Sequence, residues 1–181
     1  MPFGRLFDRG ARRRRASVRS VYEGVVAAAR DPEIYGDGAV PDSFEGRFEM
    51  MVWHLAFVVR RLRDASEKDF AQDLFDRFLD DMDKAMREAG VGDIAIPKRL
   101  QKMVRVWFGR VRALEDLDAR TAGEADLLPI LARNLYPEAD ATPDLRPLAD
   151  LLLQRWRQVD AEPPSRLLDG ASPFAPRKAD A

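Results

Sequence analysis

DSFEGRFEMMVWHLAFVVRRLRD, residues 42–64, contains the longest apolar run of the sequence and decides the fold. Its apolar residues recur at three- and four-residue steps, the spacing that aligns side chains along one face of an α-helix. Other apolar residues fill the remaining sides, and a helix that is apolar nearly all round is a buried helix. The run from Met50 to Val59 is too short to cross a bilayer, which requires about 20 residues. We therefore expect the central helix of a bundle, with Asp42 or Ser43 as its N-cap.

The length and composition of the chain limit the possible classes of protein. A chain of 181 residues favours one domain with a single core. The net charge of −1 gives no reason to expect DNA binding. The absence of cysteine excludes disulfides, thiol catalysis and thiolate metal sites, and is compatible with the cytoplasm.

Helical periodicity continues outside the central stretch, with no convincing strand. Before the central stretch we predict a helix over 17–30. After it we predict one helix from Ser66 to a C-terminal Gly90, one from Pro97 onward and one from Thr121 or Gly123 to Pro137. The last predicted helix covers 142–160, with Thr142 as its cap and Pro143 in its first turn. The expected fold is therefore all-α, a single-domain bundle of about six helices with flexible termini. Its predicted parts are a basic N-terminal tail (1–15), a helical domain (16–160) and a flexible C-terminal tail (161–181).

The first fifteen residues carry six arginines and one aspartate. A disordered, solvated tail is one interpretation of this segment, and an arm that binds RNA is another. A third is peripheral contact with an anionic membrane, where each basic residue contributes roughly 1 kcal/mol. The residues of this predicted membrane tail are Phe3, Leu6, Phe7, Arg12, Arg13, Arg14 and Arg15.

Two predicted helices carry opposite charges. The predicted helix that begins at Ser66 has an aspartate stripe, which is either a solvated face or a docking surface for a basic segment. The predicted helix that begins at Pro97 has a basic stripe that resembles a nucleic-acid footprint. Because Trp107 and Phe108 are expected on the inward face of this helix, the stripe lacks exposed aromatic residues. An RNA- or ribosome-binding protein is nevertheless an alternative function. The aspartates are Asp69, Asp73, Asp76, Asp80 and Asp83, and the basic residues are Lys98, Arg99, Lys102, Arg105, Arg110 and Arg112.

The inventory of reactive side chains argues against an enzyme. The single histidine, His54, cannot supply the paired Glu-x-x-His motifs of a di-iron bundle, and zinc ligands are lacking. His54 is expected to be a core residue, satisfied by a carbonyl or another helix. Glu45 and Glu49 suit the positive end of the helix dipole. An acid–base site would require these three side chains to converge, and we predict no catalytic residue, metal or cofactor.

Three segments carry a resemblance to a known family. They are PDSFEGRFEMMVWHLAFVVRRLR, then AQDLFDRFLDDMDKAMREAGVGDIAIPKRLQKM followed by FGR, and finally RNLY. Their order and spacing resemble the ubiquinol-cytochrome c chaperone family over roughly residues 20 to 157. The resemblance implies a non-catalytic chaperone that assists assembly of respiratory complex III.

The resemblance also implies a client, partners and a set of binding residues. The client is newly made cytochrome b, held until haem insertion, and mitochondrial relatives work with a small partner protein near the ribosomal exit. We expect a cytoplasmic protein, peripheral on the cytoplasmic face of the inner membrane. We expect its client groove near the start of the second predicted helix, which is the central helix of residues 42–64, and near the connection from Gly90 to Arg99. The positions carried over as partner-binding are Phe44, Glu45, Arg47, Phe48, His54, Asp81, Asp83, Gly90, Gly92, Asp93, Pro97, Lys98, Arg99, Arg110, Asn134 and Tyr136. Met82, Val91, Phe108 and Gly109 also match the family pattern.

Overall fold

The fold is seen in a computed structural model that describes residues 3–35, 40–138 and 142–174, with side-chain positions from residue 10 onward. These segments form six long helices and two short ones, without a strand, so the predicted all-α single domain is confirmed. No helix in them is long and apolar enough to span a membrane. The helices are α1 (Phe3–Ala29), α2 (Pro32–Tyr35), α3 (Phe44–Asp64), α4 (Lys68–Glu88), α5 (Ile96–Glu115), α6 (Glu124–Leu135), α7 (Arg146–Asp160) and α8 (Pro164–Leu168).

The predicted central helix is α3, which packs against all five other long helices. Every residue from Met50 to Val59 is buried, so the apolar circumference predicts the burial of this helix correctly. The hydroxyl of Ser43 accepts a hydrogen bond from the backbone N–H of Gly46 at 3.1 Å, which makes Ser43 the N-cap. The ring of Phe57 stacks on Trp156 of α7 with 5.5 Å between ring centroids.

A chain of aromatic rings crosses the α3, α4 and α5 layer. Neighbouring centroids lie 5.0 to 6.5 Å apart, the range in which aromatic pairs attract. Both ends of this aromatic chain reach the surface. In order, its rings are Phe44, Phe48, Phe78, Trp107, Phe75 and Phe108.

Arginines hold the connection between α5 and α6. The guanidinium of Arg60 donates to the carbonyl oxygens of Leu114 and Leu117. From α7, Arg157 donates to the carbonyl oxygen of Ala119 at 3.1 Å and to that of Ala122 at 2.9 Å. Carbonyl groups at a helix end lack partners within the helix, so these arginines satisfy acceptors that the backbone leaves open.

The helical domain extends further in both directions than the sequence predicted. Helix α1 begins at Phe3 and therefore includes most of the segment predicted as a basic tail, because Arg and Ala favour helices. At the other end, Leu167 of α8 is fully buried, and the carbonyl oxygen of Gly170 accepts a hydrogen bond from Ser20 of α1 at 2.7 Å. The C-terminal segment thus packs on the domain as far as Phe174, and residues 175–181 lie outside the described part of the chain.

Several predicted helix boundaries are corrected by the structure. Ser66 does not cap α4, because its φ is +65° and the helix begins at Lys68. Thr142 does not cap the last long helix either, since α7 begins at Arg146. The prediction that Gly90 follows α4 is confirmed by its φ of +77°, a left-handed conformation that favours glycine.

Candidate functional site

A groove with a volume of about 570 Å³ opens between the start of α3, the stretch of α5 from Arg99 to Arg110 and the end of α6, with Met86 from the end of α4. We call it the α3–α5–α6 groove. Its size falls within the range typical of ligand and peptide pockets. Its lining residues are Phe44, Glu45, Phe48, Glu49, Met86, Arg99, Lys102, Met103, Val106, Arg110, Arg133, Asn134 and Pro137.

The apolar wall of the groove begins at Phe44, which is 54% exposed at the mouth. Its ring stacks on that of Phe48, with planes 5° apart and centroids 6.5 Å apart. Met86 and Met103 continue the wall inward. Methionine side chains are flexible and polarisable, so they adapt to differently shaped apolar partners.

The rim of the groove carries positive charge. Arg99, Lys102 and Arg133 are exposed, and none of them has an ion-pair partner among the described residues. Glu45 is an exposed carboxylate on the same lining. A partner that combines apolar groups with carboxylates would therefore fit this rim better than a basic one.

The floor of the groove is a buried ion pair between α3 and α5. The guanidinium of Arg110 donates to both carboxylate oxygens of Glu49, from Nε and from Nη2, the latter at 2.8 Å. The indole N–H of Trp53 donates to the same carboxylate at 2.9 Å. The sequence placed Arg110 on the exposed basic stripe, and this was wrong because a carboxylate on α3 draws its guanidinium inward.

His54 lies elsewhere in the core. Its Nδ1 donates to the carbonyl oxygen of Met50 at 2.7 Å, and its Nε2 accepts from Nη1 of Arg155 at 2.6 Å, which fixes the neutral ring. Complete burial lowers the pKa of His54 to about 3. Arg155 also pairs with Asp31 at 2.7 Å. The interpretation of His54 as a satisfied core histidine is confirmed, and it does not line the groove.

Glu45, Glu49 and His54 do not converge on one cavity. Glu45 is exposed, Glu49 pairs with Arg110, and His54 pairs with Arg155, so the acid–base arrangement considered from the sequence is not formed. Within the described ranges, no group of His, Asp or Glu side chains is placed to hold a metal ion.

The groove gathers only part of the residues carried over by the resemblance. These are Phe44, Glu45, Phe48, Arg99, Arg110 and Asn134. Of the other lining residues, the sequence considered Glu49 only for acid–base work and Lys102 only as part of the basic stripe. It did not treat Met86, Met103, Val106, Arg133 and Pro137 as site residues. The methionines lie at core spacing, so their sequence pattern carried no separate signal.

The remaining carried-over residues lie outside the groove. Arg47 pairs with Asp42 at 2.6 Å, and Asp81 accepts from the hydroxyl of Tyr22 at 3.2 Å. Arg87 of α4 bridges Asp83 and Asp93, which ties the helix end to the following connection. Tyr136 is partly buried against the core. Gly90, Gly92, Pro97 and Lys98 are exposed along that connection and at the start of α5.

The aspartate stripe of α4 faces the arginines of α1. Nε of Arg14 lies 2.5 Å from a carboxylate oxygen of Asp73, and the two helices border an open cleft of about 780 Å³. Nearby, Arg13 pairs with Asp169 at 2.7 Å. The predicted docking surface for a basic segment therefore receives a segment of the same chain. The side chains of Phe3, Leu6 and Phe7 lie outside the described residues.

The fold and the groove define an all-α domain with a partly apolar, positively rimmed surface channel. The family profile of the ubiquinol-cytochrome C chaperones matches residues 37–174, and the chain belongs to this family, which confirms the resemblance seen in the sequence. The chain is also similar to the protein in the crystal structure of the Cbp3 homolog from Brucella abortus, with 33% identity, a TM-score of 0.80 and 94% of each chain covered. A comparison with curated proteins gives no match.

Proposed function

We propose that the protein is an assembly chaperone for ubiquinol-cytochrome c reductase, respiratory complex III, and that it binds newly made cytochrome b in the α3–α5–α6 groove. Family membership supports the first part of this proposal. The observation that carries the second part is the exposure of Phe44, a large apolar side chain, at the mouth of a groove with apolar walls. Contiguous apolar surface marks protein interaction sites, and Phe44 extends the apolar wall of this groove to the exposed surface.

The chemistry of the groove suits a membrane-protein client held before assembly. The wall formed by Phe44, Phe48 and Met103 offers apolar contact to a helix that is still without its final neighbours. The cations at the rim add charge complementarity, which sets orientation and association rate more than affinity.

Holding a client requires no reactive group, and the floor of the groove offers none that is free. The carboxylate of Glu49 is satisfied by Arg110 and by the indole of Trp53. A general base must have an acceptor available to the proton that it removes. The groove therefore favours binding over catalysis.

Peripheral contact with the cytoplasmic face of the inner membrane is the third part of the proposed function. Arg12, Arg15 and Arg19 of α1 are exposed along the cleft between α1 and α4. This cleft is lined by five arginines and three aspartates, so its net charge is positive. An anionic leaflet attracts such residues by about 1 kcal/mol each. Sedimentation with vesicles that contain anionic lipid should retain the protein, and the double change Arg15→Glu and Arg19→Glu should release it. Equal retention by neutral vesicles would contradict this contact.

The test of client binding uses a deletion strain complemented with variants of the full chain. Deletion should lower complex III, measured from its haem spectrum and activity, while the cytochrome b transcript stays unchanged. Phe44→Ala combined with Arg133→Ala should restore less complex III and recover less cytochrome b on affinity purification than the unchanged chain.

The control is Gln154→Ala, because Gln154 is exposed on α7 and lines neither the groove nor the connection from Gly90 to Arg99. This variant should restore complex III fully. Normal complex III in the deletion strain would disprove the chaperone role. Equal behaviour of the groove variant and the Gln154 variant would disprove the assignment of the groove.

A further inference from the structure

Most arginines of the described chain have a partner, but four basic residues on one side of the bundle do not. Arg63, Lys68, Arg105 and Arg112 are exposed, and no ion pair or side-chain hydrogen bond is formed by them within the described residues. By contrast, Arg60, Arg110, Arg155 and Arg157 all bind carbonyls or carboxylates. The arginines that stabilise the fold are thus separate from those that remain available to another molecule.

The four cations surround an exposed phenylalanine. Phe108 is 58% exposed, although the spacing of apolar residues in α5 predicted that it faces inward, so that prediction was wrong. Arg105 and Arg112 lie three residues before and four residues after it, which places all three on one side of α5. Arg63 and Lys68 line the same shallow groove of about 170 Å³, between the end of α3, the start of α4 and α5.

The base of this surface is rigid and aromatic. The ring of Phe75 lies 6.5 Å from that of Phe108 and 5.0 Å from that of the buried Trp107, measured between centroids. A preorganised aromatic base loses little conformational entropy when a partner binds. We call the set formed by Arg63, Lys68, Phe75, Arg105, Phe108 and Arg112 the Phe108 surface.

We propose that the Phe108 surface is a second docking site, which binds a short acidic protein segment carrying an aromatic or aliphatic anchor residue. Charge complementarity supports an acidic partner, since four cations without partners within the described residues lie around one apolar contact. A central aromatic anchor with charged groups around it is the usual arrangement of a binding hot spot.

The charges around the site favour a short segment over a long polyanion such as RNA. The exposed carboxylates of Asp64 and Glu115 lie at one end of the surface, beside Arg63. On α4, Asp69 and Asp76 are exposed next to the residues that line it. A nucleic acid longer than a few nucleotides would approach these carboxylates, whereas a peptide with two or three acidic residues would not.

This site is distinct from the proposed client groove. Both sites draw residues from α3, α4 and α5, but they share no lining residue, since Val106 and Arg110 face one and Trp107 and Phe108 the other. The inference therefore goes beyond the proposed function, because it implies that the protein can bind a client and a second protein at the same time.

The first experiment places a photo-crosslinker on the surface. The full chain is produced in cells with benzoylphenylalanine at position 108, and a second form carries it at position 94 as the control. Crosslinked peptides specific to position 108 should contain several Asp or Glu residues around an aromatic or aliphatic residue. Products that contain RNA, products that lack acidic residues, or products identical to those of position 94 would each overturn the proposal.

The second experiment measures binding of the crosslinked segment, synthesised with a fluorescein label, to the purified full chain. Phe108→Ala should weaken binding about tenfold, and Arg105→Glu with Arg112→Glu at least as much, while Phe44→Ala should leave it unchanged. All of these residues are exposed, so folding is not at risk. Equal affinity for the unchanged chain and the Phe108 variant would overturn the site. Tighter Phe108-dependent binding of a labelled polyuridine would instead assign the surface to RNA.

Discussion

The buried pair between Glu49 and Arg110 gives the strongest quantitative prediction. The two side chains are only 5% and 10% exposed, so removing one of them leaves an uncompensated charge in the core. Such losses typically cost about 3 to 5 kcal/mol. Domains of this kind are stable by about 5 to 15 kcal/mol, so Arg110→Met should remove a large part of the stability. For a chain of this size we expect a fall in Tm of about 10 °C.

A double variant separates the loss of the pair from the loss of packing. Glu49→Gln removes the charge but keeps an oxygen that accepts the indole N–H of Trp53. Combined with Arg110→Met, it leaves no buried charge at the floor of the groove. The double variant should therefore be more stable than Arg110→Met alone, by about 2 kcal/mol or more.

The assay is urea unfolding followed by far-UV circular dichroism, with the m-value checked for constancy. Arg112→Met is the matched control, because Arg112 lies on the same helix, is exposed and lacks an ion-pair partner among the described residues. It should change stability by less than about 0.5 kcal/mol. A cost below about 1 kcal/mol for Arg110→Met would refute the view that this pair closes the interface between α3 and α5.

Two further predictions concern pH and glycine. Because burial holds the pKa of His54 at about 3, below its ordinary value of 6.5, the unfolded chain binds a proton that the folded chain does not between these values. The free energy of unfolding should thus fall by up to about 1.4 kcal/mol per pH unit as the pH drops through this window. The His54→Gln variant should lose this slope, and equal slopes in the variant and the unchanged chain would contradict the role of His54. Gly46→Ala should strongly destabilise the fold, because its Cβ would lie 2.1 Å from the carbonyl oxygen of Pro41. Gly109→Ala, with open space around its Cβ, should instead stabilise α5 by roughly 0.5 to 1 kcal/mol, and thermal unfolding of both variants checks the contrast.

The sequence predicted the architecture well where a helix is buried on all sides. The residues from Met50 to Val59 are apolar on nearly all sides of α3, so this helix has to be buried at the centre of the bundle, and the structure places it there. Gly90 was also predictable, and the N-cap was narrowed to Asp42 or Ser43, since these roles depend on local backbone geometry; the structure selects Ser43. The segment after α7 was less predictable, because the short helix α8 depends on contacts with α1, which is distant in the sequence.

The site was predicted less well because its side chains are positioned by contacts between helices. Arg110 and Phe108 exchange their expected places on α5, the arginine being buried and the phenylalanine exposed. Residue type favours the opposite arrangement, and only the position of Glu49 on another helix explains the burial of the arginine. The spacing of apolar residues in α5 predicts that the segment is a helix, but it does not predict which helices pack against each of its faces.

The contact between Ser20 and Gly170 has a consequence for biosynthesis. Ser20 belongs to α1, whereas Gly170 follows α8, and the hydroxyl of Ser20 donates to the carbonyl oxygen of Gly170. Since the exit tunnel retains the newest residues, this closure cannot form on the nascent chain until Gly170 has left the ribosome. Helix α1 must therefore wait for this cover while α2 to α8 are made, and a chain truncated before Leu167 would leave that part of its surface exposed to proteases.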